Sequence, residues 1–345
     1  MKTLIDAVQN NCHISDARHA GNYSLCVFLL KMREYYRWES QIPLTQQLAR
    51  EKVGEWMAQR EQHWAGLEHD NYGKLPLNGD SLDPFAADDI NAALVPQGYV
   101  YSSGYGVFRK PHFFIGQLHS TRKINGYTVY IASRELARDL VAPPAMVLQQ
   151  NIFIRQESLR RFIWEKIEEW QWKEHPDTPI GRILQNYGNG LESELLLDKL
   201  VQEETETLIL HELGELHAGE LLGGAWHDLF DVTATPKDEF IIRAIRDLIA
   251  DCHTTLPTLL ENGQQNALHF FFSNYNGLRR SLFPQLSQAY EQAVATGNNA
   301  ILHTVVRHGE QLWLKRARVL LDALQRDKNQ VTAMLENIYQ EHNIQ

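Results

Sequence analysis

Between His211 and Glu220 the chain reads HELGELHAGE, two imidazoles and three carboxylates in ten residues. Imidazole nitrogen and carboxylate oxygen together are the ligand set of divalent metal ions, so the first expectation is a metal site on one helix. At about 100° per residue, Glu204, His211 and Glu215 share a narrow arc, with Ile209, Leu210, Leu213 and Leu216 opposite. Glu206, His217 and Glu220 fall on the leucine side, where burial demands partners or a water-filled cleft. A later segment repeats the pattern: Arg243, Asp247 and Asp251 recur every four residues against Ile241, Ile242, Ile245, Leu248 and Ile249. If the two helices pair antiparallel through the loop holding Gly223, Gly224 and Pro236, Asp247 or Asp251 reaches His211 and Glu215. The expected metal ligands are therefore His211, Glu215, Glu204, Asp247 and Asp251, with His227, Asp228 and His253 in reserve. The competing account of Arg243 and Asp247 is a solvated helix-surface ion pair.

His211-Glu212 followed by Glu215 resembles the HExxH motif of zinc peptidases, with glutamate in place of the second histidine. The resemblance covers about ten residues. It implies His211 and Glu215 as ligands and Glu212 as the base that deprotonates a metal-bound water. Glutamate at the fifth position makes the donor set richer in oxygen, which moves the expected ion from zinc toward iron or manganese. The seven-residue gap from Glu204 to His211 is similar to one in haem-oxygenase-like di-iron oxidases, which implies a helical-bundle oxidase with a di-iron or di-manganese site as an alternative. Their later His and Asp cluster has no counterpart in this sequence. A third reading is a non-catalytic helical adaptor. The expectation carried forward is a metal-dependent hydrolase acting on a small molecule or peptide.

Composition narrows the classes. A net charge of −10 and a pI near 5.8 disfavour nucleic acid as the main ligand, since neutralising phosphates requires a basic surface. No run is long and apolar enough to span a bilayer, and the start, MKTLIDAVQNNCHISDARH, lacks the apolar stretch of a signal peptide. Cys12, Cys26 and Cys252 match no metal-finger or disulfide framework, so a cytoplasmic location is expected. No phosphate loop, GxSxG elbow or CxxC pair is present.

The elements that must position these residues are mostly helical. Apolar periodicity predicts helices over 23–39, 44–67, 86–94 and 152–172, then near 190–222, 237–262, 264–276, 280–296, 299–327 and 328–342. CHISDARH, residues 12–19, has little apolar periodicity and reads as a capped loop, or else a lid or a source of one ligand. Residues 71–85 read as a connector. Three aromatic and β-branched runs between 98 and 132, with Asn125-Gly126 as a tight turn, predict a small antiparallel meander. The glycines of SSGYGVF, residues 102–108, read as strand or turn. The expected fold is mainly α: a multi-helix bundle with that meander inserted, divided into an N-terminal region, 1–142, and a C-terminal bundle, 143–345, that carries the metal site.

Overall fold

A computed structural model of the chain describes residues 1–106, 109–173, 177–188, 193–233 and 235–343. Val107 and Phe108, at the end of the glycine-containing run, lie outside them. The chain is mainly α with a substantial β component and divides into two compact units, Met1–Glu165 and Lys166–Gln345. From sequence the division was placed at 142/143.

The first unit runs α1 (Lys2–His19), α2 (Leu25–Glu39), α3 (Arg50–Ala65), the hairpin β1 (Leu75–Leu77) and β2 (Asp80–Leu82), and α4 (Ala87–Leu94). Then come β3 (Tyr99–Tyr105), β4 (Pro111–Ile124), β5 (Tyr127–Arg138), β6 (Ala145–Leu148), β7 (Asn151–Arg155) and the start of α5 (Gln156–Lys173). The expected small meander is corrected to a five-stranded mixed sheet in the order β3-β4-β5-β7-β6. Its β3-β4-β5 antiparallel part begins where the sequence put it, and Asn125 and Gly126 turn β4 into β5 with φ of 50° and 88°. Past residue 132, β5 continues to Arg138 along β4, and over residues 128–132 its other edge pairs in parallel with β7. Ile152, Phe153 and Ile154, expected to open a helix, are instead buried strand residues. Three consecutive apolar or aromatic residues suit a strand covered on both faces as well as a helix, and only the distant partner decides. The 71–85 connector also contains β1 and β2, turned by Asn78-Gly79 with φ of 53° and 92°.

CHISDARH is not a loop but the last two turns of α1. Its apolar periodicity is weak because the helix buries polar side chains together with apolar ones. Leu4, Val8 and Cys12 pack on Phe113 and Ile115 of the sheet. Beside them Asn11 exchanges two hydrogen bonds with the Gly73 backbone, and Cys12 donates to the Phe113 carbonyl. Asp16 accepts from the Leu140 amide at 2.8 Å and pairs with Lys110 at 2.6 Å.

The second unit holds the rest of α5 and α6 (Pro179–Tyr187), α7 (Ser193–Leu222), the single turn α8 (Ala225–Asp228) and α9 (Pro236–Ala250). It continues with α10 (Leu256–Glu261), α11 (Gln265–Asn274), α12 (Gly277–Leu282), α13 (Pro284–Thr296), α14 (Ala300–Arg326) and α15 (Asn329–Asn343). Helix α7 spans 30 residues and is buried on more than one side, through Leu200, Val201, Ile209, Leu213 and Ala218. Helix α9 starts on a capping box, Thr235 with Asp238 and Pro236 at its first turn, and packs against α7. Its apolar side, Ile241, Ile242, Ile245, Leu248 and Ile249, is fully buried in the same cluster as Phe283 and Trp313. Between α9 and α10 the backbone widens to a π-helical turn, Asp251–Thr255.

Candidate metal centre

The site sits where α7 meets the end of α9. A Cβ added at Gly214 would stand 3.0 Å from the Ala250 carbonyl oxygen and 3.1 Å from Thr255 Oγ1, so the bare glycine lets the two backbones close on one another. That closeness brings His211 and Glu215, one turn apart on α7, against Asp251 of the π turn. Turns of this kind recur at functional sites because the extra residue re-aims a side chain.

His211 is held on both sides of its ring: Nε2 lies 3.5 Å from Glu215 Oε1, and Nδ1 lies 3.4 Å from Asp251 Oδ1. Two guanidiniums close the chain of charges, Arg246 to Glu215 Oε2 at 2.5 Å and Arg279 to Asp251 Oδ2 at 2.9 Å. Asp251 is fully buried, and its Oδ1 has no hydrogen-bond partner among the described residues. Burial alone would lower the His211 pKa, but Asp251 and Glu215 beside it raise it well above the ordinary imidazole value. Burial works against the Glu215 charge too, and Arg246 and His211 overcome it and hold the carboxyl low, at about 2. Burial and the neighbouring Glu215 carboxylate push Glu212 up to about 8 and Asp247 up to about 6.

Among the described residues, one group of three or more potential ligands converges: His211, Glu212 and Glu215 each offer an atom within 4.8 Å of the others'. Asp251 stands on the far side of the imidazole. Asp247 faces the same charges from α9, with Oδ1 4.0 Å from Arg246. Glu204 is not brought into this group. It lies seven residues before His211, about 10 Å along the helix axis, fully buried, with both carboxylate oxygens unpartnered among the described residues. Burial pushes its pKa up to about 8.

The reserve residues are elsewhere: His227 and Asp228 are exposed on α8, and His253 pairs with Glu310 at 2.7 Å. Glu206 and Glu220 are exposed, and His217 meets Thr254 Oγ1 at 3.1 Å, so none of these three is a buried, unpaired charge. Arg243 pairs with Glu239, not with Asp247. Sequence reasoning missed Arg246, which only its place next to Asp247 could have flagged. Arg279 stands 28 residues beyond Asp251 in the chain and carries no local signal of that pairing.

Residues 3–155 match the family of unknown function (DUF6866) N-terminal domain, and residues 160–342 match the family of unknown function (DUF6866) C-terminal domain. The chain belongs to this family. The family's boundary, between 155 and 160, falls close to the division between the two compact units, and the candidate centre lies in its C-terminal domain. No curated protein and no solved structure matches the chain. Among the described residues, no helix is long and apolar enough to cross a membrane.

Proposed function

We propose that this chain is a metal-dependent hydrolase whose divalent ion is bound by His211, Glu212 and Glu215. The observation that carries the reading is the convergence of those three donors within 4.8 Å. An ion roughly 2.1 Å from both His211 Nε2 and Glu215 Oε1 would see them at roughly 110°, a tetrahedral angle, given their 3.5 Å separation. Binding would displace the protons held by His211 and Glu212; Glu212, Glu215, Asp247 and Asp251 would then bring four negative charges against the two of Arg246 and Arg279, a remainder that one divalent ion balances. Asp251 would accept the His211 Nδ1 proton behind the ion, the carboxylate–histidine arrangement that fixes a metal-bound ring, and its unpartnered Oδ1 suits that task.

Three protein donors and an open position are what a catalytic ion uses, so Glu212 serves here as the third donor and not as the base its sequence position suggested. The base is then Asp247, which would take the proton of a metal-bound water. The His211, Glu215 and Asp247 side chains are 24 %, 21 % and 26 % exposed, enough for water and substrate to reach them. A dinuclear oxidase centre would need Glu204, which stands two helical turns away.

One observation favours a second reading, a structural charge network in a non-catalytic adaptor: Arg246, Glu215, His211, Asp251 and Arg279 already pair in sequence without an ion. Elemental analysis of the purified protein and of His211→Ala and Glu215→Gln separates the two. Stoichiometric metal in the parent protein, lost in both variants together with chelator-sensitive hydrolysis of an ester panel, is the expected result. A metal-free parent protein would leave the adaptor. The retained element also identifies the chemistry, since zinc fits hydrolysis whereas iron or manganese revives oxidation.

A further inference from the structure

The second unit contains a cavity of about 350 Å³ between α5, α6, α11 and α13, within the size range of small-molecule sites. Its walls are aromatic: Trp170, Phe272, Tyr275 and Tyr290 line it, and the Phe272 and Tyr290 rings are stacked with centroids 4.0 Å apart. The Tyr290 hydroxyl is occupied, accepting from Arg182 at 3.0 Å and bonded to His269 Nδ1 at 2.8 Å. The ring is therefore fixed in place, with one face against Phe272.

Four charged residues stand at the wall. Glu291 is held bidentate by Arg182, at 3.3 and 2.7 Å, Glu169 is also engaged, and Lys166 donates to the Ser273 carbonyl at 3.2 Å. Arg280 is exposed and makes no hydrogen bond or ion pair among the described residues, so the uncommitted charge at this cavity is positive. We propose that the cavity binds a planar aromatic molecule bearing one anionic group, with the ring between the aromatic walls and the anion on Arg280. Stacking on aromatic faces supplies the shape preference, and the guanidinium, with its fork of donors, supplies the preference for an acid over a neutral analogue. This inference does not depend on the metal reading, because none of the candidate ligands lines the cavity.

Calorimetric titration of the full chain with indole-3-acetate and with its neutral amide tests it, alongside Arg280→Gln and Ser287→Phe. Arg280 is at the surface, so its loss leaves the fold intact, while Ser287 lines the cavity and a phenyl ring there would fill it. The expected result is that the acid binds on the order of tenfold more tightly than the amide, that Arg280→Gln removes the difference, and that Ser287→Phe abolishes both. Absence of binding, equal affinity for acid and amide, or an acid preference that survives Arg280→Gln would overturn the proposal.

Discussion

His211 has two ring nitrogens, and the groups facing them divide its tasks: Nε2 looks toward Glu215, Nδ1 toward Asp251. Replacing Asp251 with Asn keeps the size of the side chain but removes the acceptor charge behind the ring. In the proposed centre, metal affinity should fall by about 10- to 100-fold, measured by competition with a chromogenic chelator, while the helical circular dichroism stays unchanged. Glu204 makes the opposite kind of prediction. Its pKa is raised by burial to about 8, above the unfolded value near 4.5, so it favours folding below pH 4.5 and that contribution disappears as pH rises toward 8. Glu204→Gln should therefore be more stable than the parent at pH 9, on the order of a few kcal/mol, and nearly equal to it at pH 4, as read by urea denaturation. Equal midpoints at pH 9 would contradict a buried, neutral acid. Spacing alone grouped Glu204 with His211, because a helical wheel shows angle and omits the rise along the axis.

Helices α7 and α14 each contain glycines whose surroundings differ. Gly219 is exposed on α7 with nothing near the place of a Cβ, whereas at Gly309 on α14 that atom would fall 2.5 Å from the Phe283 ring and 2.8 Å from Cys252 Sγ. Gly219→Ala should stabilise by about 0.5–1 kcal/mol through helix propensity. Gly309→Ala should destabilise by about 1–3 kcal/mol by forcing Phe283 out of its packing. Thermal melts of the two variants should move in opposite directions, and a shared direction would show that α14 is not packed this tightly. From sequence both residues look like the same flaw in a helical pattern. Helix α1 teaches the converse lesson: its polar buried stripe of Asn11, Cys12 and Asp16 hid an 18-residue helix, since the partners that satisfy those groups lie some 60 to 125 residues away.

For the whole molecule, acid should weaken the first unit from about pH 6.5 downward, before Glu215 of the second unit begins to lose its contribution near pH 4.5. His13 is buried, receives a hydrogen bond from Trp64 Nε1 at 3.2 Å and lies against Arg60, leaving no acceptor for an added proton. Burial and the Arg60 charge hold its pKa down at about 3, so its contribution is complete above the unfolded value near 6.5 and is lost as pH falls toward 3. Burial opposes the charges of Glu135 and Asp139, but Arg155 and Arg138 beside the first, and His112 and Lys110 beside the second, keep both below their ordinary values. Their contribution, present above about pH 4, is lost on further acidification. Hydrogen exchange at pH 7, 5 and 4, corrected for intrinsic rates, should show protection of α1, α3 and the sheet falling steadily, and constant protection would refute the assignment.

Local information was enough for most of the helices, for the Asn125-Gly126 turn and for the His211-Glu215 pair, because periodicity, turn chemistry and one-turn spacing act within a few residues. Whether the 152–154 run became strand or helix, which of Asp247 and Asp251 would stand behind the imidazole, and which arginines would neutralise the carboxylates were fixed only by long-range packing. Burial and charge compensation depend on groups far apart in the chain, and the tertiary structure alone brings them within ångströms.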